Sequence, residues 1–229
     1  MKKIKYFSCL IVLIFFTANY RGELTGDFSQ EMALPLVSCP KNNDLKGISI
    51  HTMADLVRGA YKDKVNYKIF DCRYPYEYNG GHIKDALNYH HPKMVYDCVN
   101  DRKDVPKIPD VEAPREVIIF HCEFSAERGP KAQRLMRNED RTNNKDHYPA
   151  LYYPELYLLV GGYKQFYHSY PELCTPESYT TMDNAKYAEE FKLCRSKSKS
   201  WAADVKQVKG ARTLSGREAK RLGLWMLMH

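Results

Sequence analysis

A cysteine and an arginine at C-x5-R spacing could together perform nucleophilic chemistry on a phosphate. Cys122 and Arg128 bound the stretch CEFSAER. The run 117–120 before it is apolar and β-branched, and Gly129-Pro130 after it begins a polar segment that favours a helix with proline in its first turn. A strand, a tight loop and a helix N-terminus would place the thiol under backbone N–H groups, an arrangement that binds phosphate.

The loop predicts a two-step displacement at phosphorus. A free cysteine has a pKa of about 8.5, and a helix N-terminus beside an arginine favours its thiolate. Arg128 would grip two phosphate oxygens in parallel. Attack by Cys122 would give a phosphocysteine that water then hydrolyses. Glu123 and Glu127 both lie inside the loop, and either could donate the proton that the leaving group needs.

The same residues have a plainer interpretation. C-x5-R spacing arises by chance in a chain with this many cysteines and arginines, and a free cysteine is more often a small core residue than a nucleophile. The flanking strand and the Gly-Pro helix start favour the catalytic interpretation. The residues of the phosphate-binding loop would then be Glu123, Phe124, Ser125, Ala126, Glu127 and Arg128.

The elements that must position this loop follow from hydrophobic periodicity and turn signals. Strands alternate with helices, which predicts an α/β fold with a mostly parallel sheet of about five strands and helices on both faces. An extended segment covers 24–47, and 73–82 reads as a loop. We expect strands over 67–71, 83–89, 117–120 and 156–160, and helices over 48–61, 91–102, 129–141, 163–168 and 184–199. For the first helix, Thr52 and Asp55 match a capping-box pattern.

Composition limits the classes of partner. The formal charge is +7, and from residue 186 onward eleven Lys/Arg face four Asp/Glu, a difference of +7 that places the whole excess in the tail. Only four aromatic residues, Tyr187, Phe191, Trp201 and Trp225, lie among these charges, too few for a base-stacking surface, so we expect no nucleic-acid binding. The seven cysteines have neither disulfide-framework nor zinc-like spacing, so we expect a reducing compartment, no metal and no cofactor.

The first residues suggest a different location. Lys2, Lys3 and Lys5 precede an apolar run over 6–18, the layout of a signal peptide, although the run is short for a membrane span and lacks a clear cleavage site. Residues 1–23 are therefore interpreted as an apolar leader, either a signal or a mis-assigned start. The membrane or the secretory pathway becomes relevant only if the leader is genuine. Residues 204–229 are predicted to form a basic, flexible tail.

Blocks of sequence over 24–203 resemble the catalytic domain of the M-phase inducer phosphatases, which activate cyclin-dependent kinases. The matching text is LTGDFS at 24–29, IFDCRYPYEY at 69–78, GGHI at 80–83, HCEFSAERGP at 121–130, YYPELY at 152–157, GGY at 161–163 and SWA at 200–202. The resemblance implies a rhodanese-like α/β domain. It also implies a dual-specificity protein phosphatase that removes inhibitory phosphates from the threonine and tyrosine of a cyclin-dependent kinase, promoting mitosis and cell division.

Roles in that family fall on matching positions. The resemblance implies Cys122 as nucleophile, Arg128 as phosphate clamp, and Glu123 or Glu127 as general acid. It implies Cys72 as a redox partner that can form a disulfide with the nucleophile, for which a small core residue is the alternative. It also implies a docking surface for the kinase–cyclin complex, formed by Arg137, Arg141 and Tyr148.

The chain would then act as a monomer in the nucleus and cytoplasm. This sequence departs from the family pattern in two ways that affect the transfer of these roles. Only about 23 residues precede the match, where the family carries a long regulatory region, and the segment 141–148 is about two residues longer than usual, which affects the alignment of Tyr148. The alternative functions are a rhodanese-type sulfurtransferase, whose loops tend to be one residue shorter, and a non-catalytic kinase-binding paralogue.

Overall fold

The computed structural model describes residues 23–102, 104–106, 113–198 and 200. In this part of the chain, five parallel strands form one sheet with the spatial order β1-β6-β5-β2-β4. A separate antiparallel pair joins β3 to β7. In chain order the seven strands are β1 Gly47–Ile48, β2 Val65–Asp71, β3 His82–Ile83, β4 Ala86–Asn88, β5 Arg115–His121, β6 Glu155–Leu159 and β7 Cys174–Thr175.

Helices cover both faces of the sheet, as the sequence predicts. The α-helices of the described residues are α1 Ile50–Val57, α2 Pro75–Asn79, α3 Pro92–Asn100, α4 Arg128–Asn143 and α5 Gly162–Ser169, and α6 runs over 188–198. One apolar cluster unites buried residues of α1 and α5 with one side of the sheet. A second unites α3 and α4 with the other side. The prediction of an α/β fold with a five-stranded sheet covered on both faces is therefore confirmed.

The neighbouring strands β2 and β5 bring the candidate site residues together at the carboxyl end of the sheet. β5 is buried from Val117 to His121, a continuous run that suits a strand covered on both faces. β5 pairs in parallel with β2, with Asp71 opposite His121. The chain leaves both strands at this end, so Cys72 and Cys122 follow neighbouring residues of adjacent strands.

Several predicted boundaries were wrong for local reasons. α1 spans 50–57 rather than 48–61, and its N-cap is Ser49, whose Oγ accepts from the Thr52 N–H at 3.0 Å, so the predicted capping box is absent. The expected strand over 83–89 is two short strands, because Asp85 takes the left-handed region at φ 63°. The C-terminal helix predicted over 184–199 begins as a 3-10 turn at Ala185–Tyr187.

The loop predicted over 73–82 contains a helix, α2. Pro75 occupies its first turn, and the Glu77 carboxylate accepts from the Tyr74 backbone N–H at 2.9 Å. Proline at the first helical position and glutamate at the third is a helix-start pattern. The sequence therefore contained the signal for this helix.

The proposed leader at 1–23 lies outside the described residues except for Glu23, and the tail at 204–229 lies wholly outside them. Among the helices of the described residues, none is long and apolar enough to cross a membrane.

Candidate active site

Cys122 lies at the carboxyl end of β5, and the loop 123–127 leads from it into α4. The cysteine is 4 % exposed, and Ser125 turns the loop back through the left-handed region at φ 51°. Strand, loop and helix follow one another as the sequence predicts. Phe124, Ala126 and Glu127 are exposed, whereas Glu123 and Ser125 are buried.

The N-terminus of α5 fixes the orientation of the loop. The Tyr163 N–H donates to the Cys122 carbonyl at 2.9 Å, and the Lys164 N–H donates to the Glu123 carbonyl at 3.0 Å. Because a trans peptide points its N–H away from its carbonyl, the N–H groups of the next two residues point away from α5. Within the described part of the chain, no backbone acceptor takes a hydrogen bond from an N–H of residues 123–127. These free donors form a cradle for an anion.

A glycine makes this anchoring possible. Gly162 has φ 65°, and a Cβ at this position would lie 2.6 Å from the carbonyl oxygens of both Cys122 and Glu123. Only glycine fits both the conformation and the space. Gly161-Gly162, which the sequence suggested only as the end of a strand, therefore positions the loop.

Arg128 is the first residue of α4, and Glu77 of α2 holds its guanidinium. Nη1 donates to Glu77 Oε2, and Nη2 donates to Oε1 at 3.0 Å, a two-point fork. Burial alone would lower the pKa of Arg128, but the hydrogen bonds and charge of Glu77 raise it, so the residue stays cationic. Of its five N–H donors, two bind Glu77, which leaves the others for a phosphate. The Tyr74 ring lies 4.8 Å from the guanidinium carbon and adds a cation–π contact.

A second buried ion pair supports the end of β2. Arg73 and Asp71 are fully buried, and Arg73 Nη2 donates to Asp71 Oδ2 at 2.6 Å and to the Gly81 carbonyl at 2.7 Å. Burial would raise the pKa of Asp71, but the charge and the hydrogen bonds of Arg73 lower it to about 2. The Arg73 guanidinium also lies 3.7 Å from the Tyr163 ring centroid. The pair thus links β2 to the start of α5.

His121 lies beneath the loop in a neutral state. Its Nδ1 is 3.3 Å from the Cys122 carbonyl, and its Nε2 is 3.8 Å from Asp71 Oδ2. Burial lowers the pKa of His121, although Asp71 opposes this shift. A buried neutral imidazole next to Cys122 packs beneath the loop and adds no charge to it.

The two candidate acids lie in different surroundings. Glu123 is 3 % exposed; its Oε1 accepts from the Tyr179 hydroxyl at 2.5 Å, and its Oε2 is 3.9 Å from Arg128 Nη2. Glu127 has a 76 % exposed side chain and accepts from Lys131 at 3.1 Å. That hydrogen bond and the charge of Lys131 lower the pKa of Glu127, which opposes its role as a proton donor in the free protein.

Cys72 lies beside Cys122, the predicted nucleophile. Its backbone N–H donates to the His121 carbonyl at 2.8 Å, and adjacent strands lie about 4.8 Å apart. A disulfide requires a Cα separation of about 4.4–6.8 Å, so the backbone geometry permits one. Both cysteines are free thiols in this structure. Burial, followed by the charges of Cys122 and Asp71, raises the pKa of Cys72, so its thiol stays protonated.

The predicted docking residues lie around two surface clefts on the α4 side. One cleft is lined by Arg137 and Arg141, and its neighbour by Arg141, Tyr148 and the exposed Phe28. Tyr148 is 76 % exposed. Arg137 is different, because it donates to the Pro154 carbonyl at 2.9 Å with an 18 % exposed side chain, and burial lowers its pKa to about 10. It packs against Gly26 rather than projecting into solvent.

Four contributors to the site were missed by reasoning from spacing: Asp71, Arg73, Glu77 and Tyr179. The first three fall in a matching block of the family resemblance but received no role there. The helix-start pattern at Pro75 could have revealed Glu77. Nothing local to Tyr179 indicates its contact with Glu123, which joins residues 56 positions apart.

The comparison with protein families agrees with the fold. The model of the rhodanese-like domain matches residues 54–169, which include both central strands and the cysteine loop. The chain belongs to the rhodanese-like domain family.

Within that family, the chain is similar to M-phase inducer phosphatases. It is 48 % identical over 187 residues to the M-phase inducer phosphatase of Drosophila melanogaster, covering 80 % of this chain and 39 % of the relative. It is 48 % identical over 185 residues to M-phase inducer phosphatase 3 of Bos taurus, covering 80 % and 38 %. The predicted resemblance is therefore confirmed, and the chain spans under two fifths of the length of these two curated relatives.

Proposed function

We propose that this chain is a cysteine-based, dual-specificity protein phosphatase. Its substrate is a cyclin-dependent kinase in complex with its cyclin, and it removes the inhibitory phosphates from neighbouring threonine and tyrosine residues. This activity promotes entry into mitosis in the nucleus and cytoplasm. The similarity to M-phase inducer phosphatases supports the class of reaction and the role in the cell cycle.

The observation that carries the proposal is the loop around Cys122. In the described part of the chain, the backbone N–H groups of residues 123–127 directly follow a buried thiol and have no backbone acceptor, and Arg128 begins the next helix with N–H donors to spare. A tetrahedral dianion matches this arrangement in charge and in donor geometry. A structural cysteine in a core would need neither the open donors nor a pre-oriented guanidinium.

In the reaction, the loop would hold three phosphate oxygens while the sulfur attacks in line with the leaving oxygen. The S–P bond forms as the P–O bond to the substrate breaks, and the transition state spreads charge over the equatorial oxygens. The preformed N–H groups and Arg128 stabilise that charge without rearranging. Water then attacks phosphorus, releasing phosphate and restoring the thiolate.

The leaving oxygen needs a proton, and the two candidate general acids, Glu127 and Glu123, differ in exposure and in hydrogen-bond partner. Glu127 faces the solvent at the mouth of the loop, and an incoming dianion would favour its protonated form, against the effect of Lys131. Glu123 is enclosed and bound by Tyr179. The pH–rate profiles of Glu127→Gln and Glu123→Gln on an aryl phosphate separate these roles, because loss of the acid removes the alkaline limb.

Dephosphorylation of a kinase that carries both phosphates tests the proposal directly. We expect Cys122→Ser to lower turnover by about 10³-fold or more while phosphate binding persists, because the cradle remains. Arg128→Lys should lower activity by about 10²-fold, because an ammonium cannot form the fork. Wild-type turnover retained by Cys122→Ser, or thiosulfate-to-cyanide transfer without phosphatase activity, would contradict the proposal.

We further propose that Cys72 protects the nucleophile from over-oxidation. Peroxide would convert Cys122 to a sulfenic acid, and the Cys72 thiol would displace water from it to form a disulfide. We expect wild-type activity to return with a thiol reductant after peroxide treatment, and Cys72→Ser activity to be lost permanently. The control is Cys98→Ser, which replaces a half-buried cysteine of α3 whose Sγ contacts the Tyr153 hydroxyl. Equal recovery by all three proteins would exclude this role.

A further inference from the structure

The segment 176–184 forms neither a helix nor a strand, and it lies against the cysteine loop. We call this segment the strap. The Tyr163 hydroxyl donates to the Ser178 carbonyl at 2.8 Å. The Tyr76 hydroxyl donates to the Met182 carbonyl at 2.6 Å. These tyrosines belong to α5 and α2, two helices that also support the loop, so the strap is fixed beside the proposed phosphate site.

One side chain of the strap reaches the cysteine loop itself. The Tyr179 hydroxyl donates to Glu123 Oε1 at 2.5 Å, and the Tyr179 ring packs against the ring of Tyr163 with centroids 5.8 Å apart. Burial, followed by the hydrogen bond to Glu123, raises the pKa of Tyr179, so its hydroxyl keeps the proton and stays the donor. Among the hydrogen bonds of the residues that the structure describes, this is the one that the Glu123 carboxylate accepts.

The same carboxylate lies close to the proposed phosphate clamp. Glu123 Oε2 is 3.9 Å from Arg128 Nη2, whereas a charge-assisted hydrogen bond between such groups is about 2.7–2.9 Å long. A movement of about 1 Å would therefore close an ion pair between them. Glu77 uses two of the N–H donors of Arg128, and a phosphate would need the others. If the Glu123 carboxylate took those donors, it would compete with phosphate for the same guanidinium.

We propose that Tyr179 is a positioning residue that holds the Glu123 carboxylate out of the phosphate site. With the hydroxyl in place, the carboxylate has a partner and stays beyond hydrogen-bond distance of Arg128. Without it, a 3 % exposed carboxylate would lose that hydrogen bond, and such a loss is costly for a buried charge. The carboxylate would then turn to Arg128. The inference rests on the proposed function and adds to it a contact that keeps the clamp open for substrate.

Binding of tungstate tests the inference, because this tetrahedral dianion has no leaving group and its affinity does not depend on a general acid. We expect Tyr179→Phe to weaken tungstate binding by about tenfold, which is the effect of one charge-assisted hydrogen bond of typical strength. The KM for an aryl phosphate should rise by a similar factor. kcat should change by less than about twofold, because saturating substrate displaces the carboxylate from Arg128. An unchanged tungstate affinity in Tyr179→Phe would overturn the inference.

Rescue by a second substitution separates positioning from a purely structural role. Tyr179→Phe combined with Glu123→Gln should bind tungstate within about twofold of wild type, because a neutral amide competes weakly for a guanidinium. A loss of affinity that persists in the double variant would show that Tyr179 acts on the fold alone. Glu123→Gln by itself should bind tungstate at least as tightly as wild type, since it removes a like charge beside the anion. Weaker binding would show that the carboxylate supports Arg128, and would also overturn the inference.

Tyr167→Phe is the matched control. The Tyr167 hydroxyl donates to the Glu177 carbonyl of the strap at 3.4 Å, and its ring lies 5.9 Å from the Tyr179 ring. This variant therefore removes a hydroxyl that contacts the strap and leaves the partner of Glu123 intact. We expect its tungstate affinity to equal that of wild type. A loss as large as that in Tyr179→Phe would assign the effect to the strap as a whole and overturn the inference.

The two proposals fail in different ways. If wild type hydrolyses phosphate esters in a Cys122-dependent manner and Tyr179→Phe binds tungstate as wild type does, only the role of Tyr179 falls. If no Cys122-dependent hydrolysis occurs on any substrate, the proposed function falls and the role of Tyr179 falls with it.

Discussion

Arg128 serves as a phosphate clamp only if its guanidinium is already oriented when the substrate arrives. Glu77 provides this orientation through two hydrogen bonds, from a carboxylate that is fully buried. A free arginine side chain would lose about 2 kcal/mol of rotamer entropy on binding phosphate, and a held one has already lost it on folding. We therefore propose Glu77 as a positioning residue, which would act on phosphate through Arg128.

Mutation of Glu77 tests whether this residue positions Arg128. We expect Glu77→Gln, which keeps the size of the side chain but removes its charge and one acceptor, to lower kcat/KM by about 10²-fold. The affinity for vanadate should fall with it, because vanadate uses the same fork. Glu172→Gln is the control, since Glu172 forms a comparable pair with Arg58 on the surface, where both side chains are about half exposed at 53 % and 48 %. An unchanged vanadate affinity in Glu77→Gln would exclude the positioning role.

The pH dependence of stability in the acidic range tests the role of the buried Asp71–Arg73 pair. The pKa of Asp71 is about 2 in the folded chain against an ordinary 3.8, so the folded state binds fewer protons between these values. The contribution of the Asp71–Arg73 pair is therefore complete above about pH 4 and is lost as the pH falls through about 2. A shift of about two units corresponds to roughly 2–3 kcal/mol.

Asp71→Asn should lower the free energy of unfolding at neutral pH by about 3–5 kcal/mol, because it leaves Arg73 buried without its partner. The dependence of unfolding on pH between 4 and 2 should also flatten. Denaturant titrations at pH 7, 4 and 3 measure both effects. A wild-type pH profile in Asp71→Asn would show that other carboxylates account for the acid sensitivity.

At the scale of elements, the site forms where β2, β5 and the N-termini of α4 and α5 meet. α4 supplies Arg128. The first N–H groups of α5 donate to two loop carbonyls, so the loop N–H groups of the same peptides point away from α5. α2 and α6 support this junction from the side, through Glu77 and through the Tyr74–Phe191 contact. The phosphate cradle therefore depends on helices that contribute no reacting atom.

Gly162 tests this dependence with a matched control. Gly162→Ala and Gly59→Ala both introduce a Cβ at positive φ, 65° and 85°, but the first Cβ meets two carbonyls at 2.6 Å and the second meets nothing within 4 Å. We expect each to lower the free energy of unfolding by about 1–2 kcal/mol from backbone strain. Only Gly162→Ala should lower kcat, by about tenfold or more, because it displaces the loop. Equal kcat values in the two variants would contradict the anchoring role of α5.

At the scale of the whole molecule, the clefts around Arg141 and Tyr148 lie on the α4 side, apart from the loop around Cys122. A large protein substrate can contact both regions, whereas a small phosphate ester reaches only the loop. A positive, partly aromatic surface of this kind raises association rates with an acidic partner. We therefore propose Arg141 and Tyr148 as kinase-docking residues. For Arg137 we propose a packing role in addition to docking.

Arg141→Ala and Tyr148→Ala should each lower kcat/KM on the kinase–cyclin complex by about tenfold and leave the hydrolysis of an aryl phosphate unchanged. Arg58→Ala, which removes an exposed cation elsewhere, is the control. Arg137→Ala is expected to lower stability as well, because its guanidinium packs against Gly26 and bonds Pro154. A parallel loss of aryl-phosphate activity in Arg141→Ala or Tyr148→Ala would contradict remote docking.

The α/β class, the proposed nucleophile Cys122 and the proposed phosphate clamp Arg128 could all be predicted from the sequence alone. Cys122 and Arg128 are encoded with their strand, loop and helix in one short stretch, and the apolar runs of β2 and β5 predict buried parallel strands regardless of distant contacts. Such features depend on local backbone geometry and on burial. Local pattern therefore suffices to predict them.

The groups that hold that loop could not be predicted from the sequence, because they are brought to it by tertiary packing. Glu77 meets Arg128 across 51 positions, and Tyr179 meets Glu123 across 56. Tertiary packing also decided that Arg137 packs inward although its spacing on α4 matches that of exposed neighbours, because the N-terminal segment at Gly26 covers it. These contacts form when separate elements dock, and no periodicity along the chain records which elements will meet.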